Sequence, residues 1–117
     1  MYKKILIIND DADTLSLLKN WLERKEYDVK FTIHQKDVPG IINDFAPDLL
    51  LLDALHIDVL KELKSLVKAK EIPVILMTGN TINDEHKDVD LADDVIKKPF
   101  STKLLEKKVG AFLKKTG

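Results

Sequence analysis

The sequence predicts an α/β domain in three layers: a doubly wound, five-stranded parallel sheet with helices on both faces. Two observations carry that prediction. Short runs of mostly branched apolar residues stand at 5–8, 49–52 and 73–77 with no wet face in their pattern, as strands buried on both sides require. Between them lie segments whose Leu, Ile and Val recur at helical spacing, and parallel strands need such crossover helices to connect them.

The elements follow in order. Residues 5–8 read as the first strand. Leu15, Leu18 and Leu22 then recur three and four apart, with Leu17 and Trp21 beside them and Lys19, Asn20, Glu23 and Arg24 on other faces. This is an amphipathic helix, with Asp13 expected as its cap. Residues 29–33 alternate as Val, Lys, Phe, Thr, Ile, a strand near a sheet edge. Pro39 suits a first helical position, Ile41, Ile42 and Phe45 supply an apolar side, and Pro47 ends that short helix.

A wholly apolar strand at 49–52 is closed by Asp53. Leu60, Leu63, Leu66 and Val67 mark a helix over 57–70, and the strand at 73–77 ends at Thr78 and Gly79. Residues 82–91 read as a weak, polar helix and 95–96 as a short strand before Lys98 and Pro99. Leu104, Leu105, Val109, Phe112 and Leu113 make a closing helix started by Ser101. Five strands thus alternate with five helices, with no repeat, low-complexity tract or linker. Residues 1–117 are expected to form one domain with the flavodoxin-like strand order 2-1-3-4-5.

The bulk numbers agree. A chain of 117 residues buries roughly two-thirds of its unfolded surface, enough for a core without staples. With 44% hydrophobic and 33% charged residues it has the composition of a soluble globular protein. It has no cysteine, which excludes disulfides, thiolate metal sites and thiol nucleophiles. A net charge of -1 argues against a dedicated nucleic-acid binder. No apolar run reaches the length of a membrane span and MYKKIL has no signal-peptide anatomy; the lack of cysteine fits a reducing cytoplasm, the location expected. The charge is unevenly placed: six acids against one Lys at 84–94, then seven Lys against one Glu at 97–115. These are solvated faces or, alternatively, a polar surface for a homodimer.

In such sheets ligands bind beyond the carboxyl ends of the strands, where strand order reverses. The residues at those ends are Asn9 and Asp10 on the first strand, Asp53 on the third, Thr78 on the fourth and Lys98 on the fifth. They suit phosphoryl transfer to a carboxylate. Asp53 would be the nucleophile, forming an acyl phosphate. Asp10 and Asp53 supply the one or two carboxylates that Mg²⁺ favours, with Asn9 as an amide ligand or a water-holding neighbour. Such a cation would relieve the repulsion among the acids of ILIINDDAD. Thr78 and Lys98 can hydrogen-bond and neutralise phosphoryl oxygens.

Four stretches, ILIINDDAD, PDLLLLD, IPVILMTG and DDVIKKPF, stand in that order and together resemble the receiver domain of two-component response regulators. The resemblance spans essentially the whole chain. It implies Asp53 as phosphoacceptor, Asp10 as main acidic ligand, Thr78 as the hydroxyl that shifts toward the phosphoryl group, and Lys98 as its ion-pair partner. It also implies a cis Lys98–Pro99 bond, and a backbone carbonyl of Leu55 offered to the metal. By the same resemblance a sensor histidine kinase or phosphotransfer protein is the donor. A downstream protein would dock on the face of the fourth helix, fifth strand and last helix. Neither a membrane nor direct nucleic-acid contact is implied, and enzymatic activity is limited to self-phosphorylation from small donors and slow self-dephosphorylation.

The chain also departs from the pattern. Asn9 stands where receivers carry Asp or Glu, which should weaken metal binding; the alternative register takes Asp10 and Asp11 as the pair. DALHIDVLKEL has Ile57 where receivers usually have proline, no glycine, and a shorter loop. An apolar Leu55 would not orient an attacking water, so slow self-dephosphorylation is expected. Val95 stands in place of the usual aromatic, and the stretch from Thr78 to Lys98 is about two residues short of the family's.

Two rivals follow. Asp11 and Asp13 have the two-residue spacing of aspartate-nucleophile phosphohydrolases, but Thr14 comes one residue too early and the chain is short for such an enzyme. The other is a degenerate receiver that works by protein contact without phosphate. His34, His56 and His86 lack ligand spacing and read as surface residues, although His56 stands close enough to Asp53 to bear on its pH dependence. Trp21 reads as packing. No output domain follows Gly117, so either a single-domain regulator or a receiver from a longer chain is expected.

Overall fold

The computed structural model describes residues 2–53, 57–79, 92–98 and 101–113. In chain order they form β1 (Lys4–Ile8), α1 (Ala12–Arg24), β2 (Asp28–Thr32), a single 3-10 turn (Gln35–Asp37), α2 (Val38–Phe45), β3 (Leu49–Asp53), α3 (Ile57–Ala69), β4 (Val74–Thr78), β5 (Asp94–Lys97) and α4 (Thr102–Phe112). The helix expected at 82–91 lies outside the described residues, so α4 is the closing helix.

The strands run in the order β2-β1-β3-β4-β5 and every neighbouring pair is parallel. This is the doubly wound, flavodoxin-like arrangement expected from the sequence. Strand order reverses between β1 and β3, and in doubly wound sheets ligands bind beyond the carboxyl ends of the strands at such a switch point.

Side-chain alternation divides the sheet's apolar residues between two cores. Ile5 and Ile7 of β1, Leu49 and Leu51 of β3, Ile75 and Met77 of β4 and Ile96 of β5 face one way. They pack on Leu15, Leu18 and Leu22 of α1 and Leu105 and Val109 of α4. Leu6, Ile8, Leu50, Leu52, Val74 and Leu76 face the other way, onto Val38 and Ile42 of α2 and Val59, Leu60, Leu63 and Val67 of α3. Both faces being covered explains why β3 and β4 are buried at every position, and why their sequence lacks alternation. β2, at the edge, keeps only Val29 and Thr32 buried.

The helix ends show local physics that spacing alone misses. Asp11, not Asp13, caps α1: its side chain accepts the Asp13 N–H. Asp13 stands inside the first turn, where its backbone is the donor that needs a partner. Ser101 caps α4 as expected, its Oγ accepting the Leu104 N–H. Among the described residues, the reversals from α1, α2 and α3 to the next strand each turn through a non-glycine residue in the left-handed region: Glu26 at φ 67°, Ala46 at 52° and Glu71 at 55°.

Candidate functional site at the carboxyl edge of the sheet

β1 and β3 pair with Ile8 opposite Leu52, so Asn9 and Asp53 come next on adjacent strands. The Asn9 N–H still donates to the Thr32 carbonyl, at 3.3 Å, and continues the ladder with β2. Alternation puts Asn9 on the face of Ile5 and Ile7, and Asp53 on that of Leu49 and Leu51. The two side chains therefore lie side by side on one face, about one strand spacing (~4.8 Å) apart.

Asp53 is 6% exposed. Lys98 leaves β5 on the same side and reaches past the end of β4, placing its Nζ 2.7 Å from Asp53 Oδ2. A carboxylate this buried needs a charged or hydrogen-bonding partner, and the ammonium supplies both. The Lys98 stem is held at its base, because its N–H donates to the Thr78 carbonyl at 2.6 Å. Thr78 itself is fully buried, and its Oγ1 donates to the Ile96 carbonyl at 3.3 Å. β4 and β5 are thus cross-linked around the lysine by one backbone and one hydroxyl bond.

Asn9 is 1% exposed. Its Oδ1 accepts the Asp11 N–H at 2.9 Å, a local bond that turns the chain from β1 into α1. Its Nδ2 is buried with no hydrogen-bond partner among the described residues. Asp10, the next residue, is exposed. Asp11 has both oxygens engaged, Oδ1 by the Asp13 N–H and Oδ2 by the Thr14 hydroxyl at 2.6 Å. The Thr14 hydroxyl, and then the Asp13 N–H, hold its carboxyl below the usual range, with a smaller contribution from Lys98.

The structure therefore gathers Asn9, Asp10, Asp53, Thr78 and Lys98 at one edge, with Asp53 and Lys98 in direct contact. Leu55, His56, His86 and Pro99 lie outside the described residues. Among the described residues no three His, Cys, Asp or Glu side chains form a set able to hold a metal ion. Sequence reasoning missed the double role of Asp11, although Asp11 and Thr14 have the spacing of a helix cap and its third residue. It also missed the bond of Lys108 Nζ to both oxygens of Asp94, at 3.0 Å each. That bond takes one charge from each of the acidic and basic stretches and pairs them within the chain.

A doubly wound domain with a buried aspartate tied to a lysine across its carboxyl edge belongs to the flavodoxin-like class, with its site at the switch point. Within that class the chain is a member of the response regulator receiver domain family, whose model matches residues 5–110. Among solved structures it is similar to the N-terminal domain of the nisin resistance regulator NsrR, a lantibiotic response regulator. The two are 32% identical over 97% of this chain and 99% of that one, with a TM-score of 0.83. A two-component response regulator from Clostridium difficile shares the fold at 24% identity, over 98% of each chain, with a TM-score of 0.83. NtrX from Brucella abortus is 27% identical over 97% of this chain but only 26% of its own, with a TM-score of 0.82. Two-component signalling is thus the setting of this chain. No described helix is long and apolar enough to cross a membrane.

Proposed function

We propose that this chain is a phosphorylation-dependent switch whose phosphoacceptor is Asp53. The observation that carries the proposal is the 2.7 Å contact of Lys98 Nζ with a carboxylate buried at the β1/β3 switch point. A sensor histidine kinase or phosphotransfer protein would supply a phosphohistidine. An Asp53 oxygen attacks its phosphorus, the N–P bond breaks as the O–P bond forms, and the imidazole leaves with the electron pair. Lys98 neutralises charge on the incoming group, and the Thr78 hydroxyl, at the end of β4, would exchange the Ile96 carbonyl for a phosphoryl oxygen.

Mg²⁺ fits the donors present. It takes one or two carboxylates and completes an octahedron with waters and phosphate oxygens. Asp10 and Asp53 would provide the carboxylates, with Asn9 beside them, and the Leu55 carbonyl expected as a further ligand lies outside the described residues. When bound, the ion supplies charge neutralisation between the carboxylates and the phosphoryl oxygens. Both Asp11 oxygens being engaged in the helix cap supports the register of Asn9 and Asp10 over that of Asp10 and Asp11.

Phosphorylation then shifts a population. Loss of the Thr78 bond to Ile96 loosens β4 from β5, and the face that includes β5 and the closing helix changes its affinity for a protein partner. The shift is limited to the differential stability of the two states, a few kcal/mol. The setting is cytoplasmic, without direct nucleic-acid contact, and a homodimer through the charged stretches remains part of the proposal. An apolar Leu55 favours slow self-dephosphorylation. The test is acetyl phosphate or phosphoramidate with Mg²⁺, read by intact mass. One phosphoryl group on wild type and none on Asp53→Asn is expected; no uptake by wild type would leave a receiver that works by contact alone.

A further inference from the structure

The Asn9 side chain is an amide where a carboxylate is the family's habit, and its two ends have different fates. Oδ1 is anchored on the Asp11 N–H at 2.9 Å, whereas Nδ2 is buried without a hydrogen-bond partner among the described residues. An unsatisfied donor at 1% exposure is costly to keep. The neighbouring side chain on the same sheet face, one strand over, is Asp53. We propose that Asn9 is a positioning residue for the anion rather than for the metal: its Nδ2 donates to an oxygen of the group carried by Asp53. This rests on the phosphoacceptor reading of Asp53.

The division of labour follows from hydrogen-bond chemistry. An amide nitrogen cannot ligate a cation, and the amide oxygen is already turned to the backbone of α1. The cation side of the crevice keeps the carboxylates of Asp10 and Asp53. The anion side gains two donors, Lys98 Nζ and Asn9 Nδ2, on either flank of Asp53. Net charge at the edge is one unit less negative than with an acid at Asn9, so less of the anion's stabilisation falls to the metal.

Two variants are informative: Asn9→Asp keeps an oxygen for the Asp11 N–H, removes the donor and adds a negative charge, whereas Asn9→Ala removes the donor without adding charge. The probes are Mg²⁺ alone, followed by calorimetry on the unphosphorylated chain, and beryllofluoride at saturating Mg²⁺, followed by ¹⁹F NMR. Asn9→Asp should tighten Mg²⁺ about tenfold, from the added charge, yet weaken beryllofluoride about tenfold, from the lost charge-assisted donor. Asn9→Ala should leave Mg²⁺ within about twofold and weaken beryllofluoride similarly. Asn9→Ala decides, because weaker beryllofluoride at unchanged Mg²⁺ affinity comes neither from an added charge nor from a lost metal ligand.

Looser Mg²⁺ binding by Asn9→Ala would make the amide a metal ligand and overturn the proposal, as would unchanged beryllofluoride affinity in both variants. If wild type takes up neither beryllofluoride nor phosphate, the phosphoacceptor reading fails by itself. The magnesium arm still tests the other half of the assignment: looser Mg²⁺ in Asn9→Ala makes the amide a metal ligand, and unchanged Mg²⁺ keeps it off the metal. Thermal melts of both variants confirm folding, and a variant that fails to fold leaves the other to decide.

Discussion

Lys98 Nζ and Asp53 Oδ2 lie 2.7 Å apart, joining the exits of β5 and β3 over the end of β4. The pair is unequal: the Asp53 side chain is 9% exposed and that of Lys98 33%. Removing the lysine takes the counter-charge from a buried carboxylate, while removing the carboxylate lets the ammonium turn to water. Lys98→Met should therefore cost about 1–3 kcal/mol of folding stability, less than for a fully buried pair because solvent screens the lysine. Asp53→Asn should cost less than Lys98→Met. Urea unfolding of both variants in metal-free buffer checks the order, and equal losses would contradict it.

Thr78 offers a second test, since its fully buried Oγ1 spans to the Ile96 carbonyl at 3.3 Å. Thr78→Val preserves volume and removes that bond, at a cost of about 1 kcal/mol. On the proposed mechanism the variant still takes up phosphate but no longer couples it to β5. Backbone amide shifts of Ile96 and Lys97 should move on beryllofluoride addition in wild type and stay nearly still in Thr78→Val. Equal movements in both proteins would remove Thr78 from the switch.

How much of this was legible in the sequence depends on the length scale of the interaction. That the sheet is parallel and covered on both faces follows from apolar runs such as Leu49 to Leu52, because burial on two faces leaves no alternation to misread; the strand order itself is not encoded in such runs. The gathering of Asp53, Thr78 and Lys98 follows from topology, since parallel strands deliver their last residues to one edge. The finer facts are set by single hydrogen bonds. Asp11 rather than Asp13 caps α1 because the turn at Asn9 brings its oxygen to the first free N–H groups. Likewise, that the Asn9 amide would satisfy only one end depends on atoms from two strands and a turn, which no spacing encodes.

The Lys108 bridge to Asp94 predicts a pH dependence. Partial burial alone would raise the Asp94 carboxyl, but the hydrogen bonds from Lys108 and the Val95 N–H, with the lysine's charge, outweigh it and leave it below the usual 3.8. The folded state thus resists protonation more than the unfolded one. The bridge's contribution is present above 3.8 and is lost as pH falls through the lowered folded value. Lys108→Met should cost about 0.5–1 kcal/mol near neutral pH, as expected for a partly exposed pair. The deficit should shrink on acidification, which urea midpoints taken at falling pH will show; a deficit that grows toward acid would reverse the sign.

The helix ends and interiors carry two exchanges of opposite kind. Ala46 ends α2 in the left-handed region at φ 52°, where a Cβ is strained, and its side chain is exposed. Glycine there relieves about 1 kcal/mol of strain. It also adds freedom to the unfolded chain, so Ala46→Gly should stabilise by only about 0.5 kcal/mol net. Gly110 sits inside α4, and a Cβ built on it meets nothing within 4 Å. Gly110→Ala should add about 0.5–1 kcal/mol through helix propensity and lowered unfolded-state entropy. Ala46 and Gly110 lie on helices over opposite faces of the sheet, so the gains should add in the double variant. Urea midpoints at constant m-value measure all three. Destabilisation by Ala46→Gly would mean that the turn into β3 is not left-handed in solution, and destabilisation by Gly110→Ala would mean that another segment packs against α4 at that position.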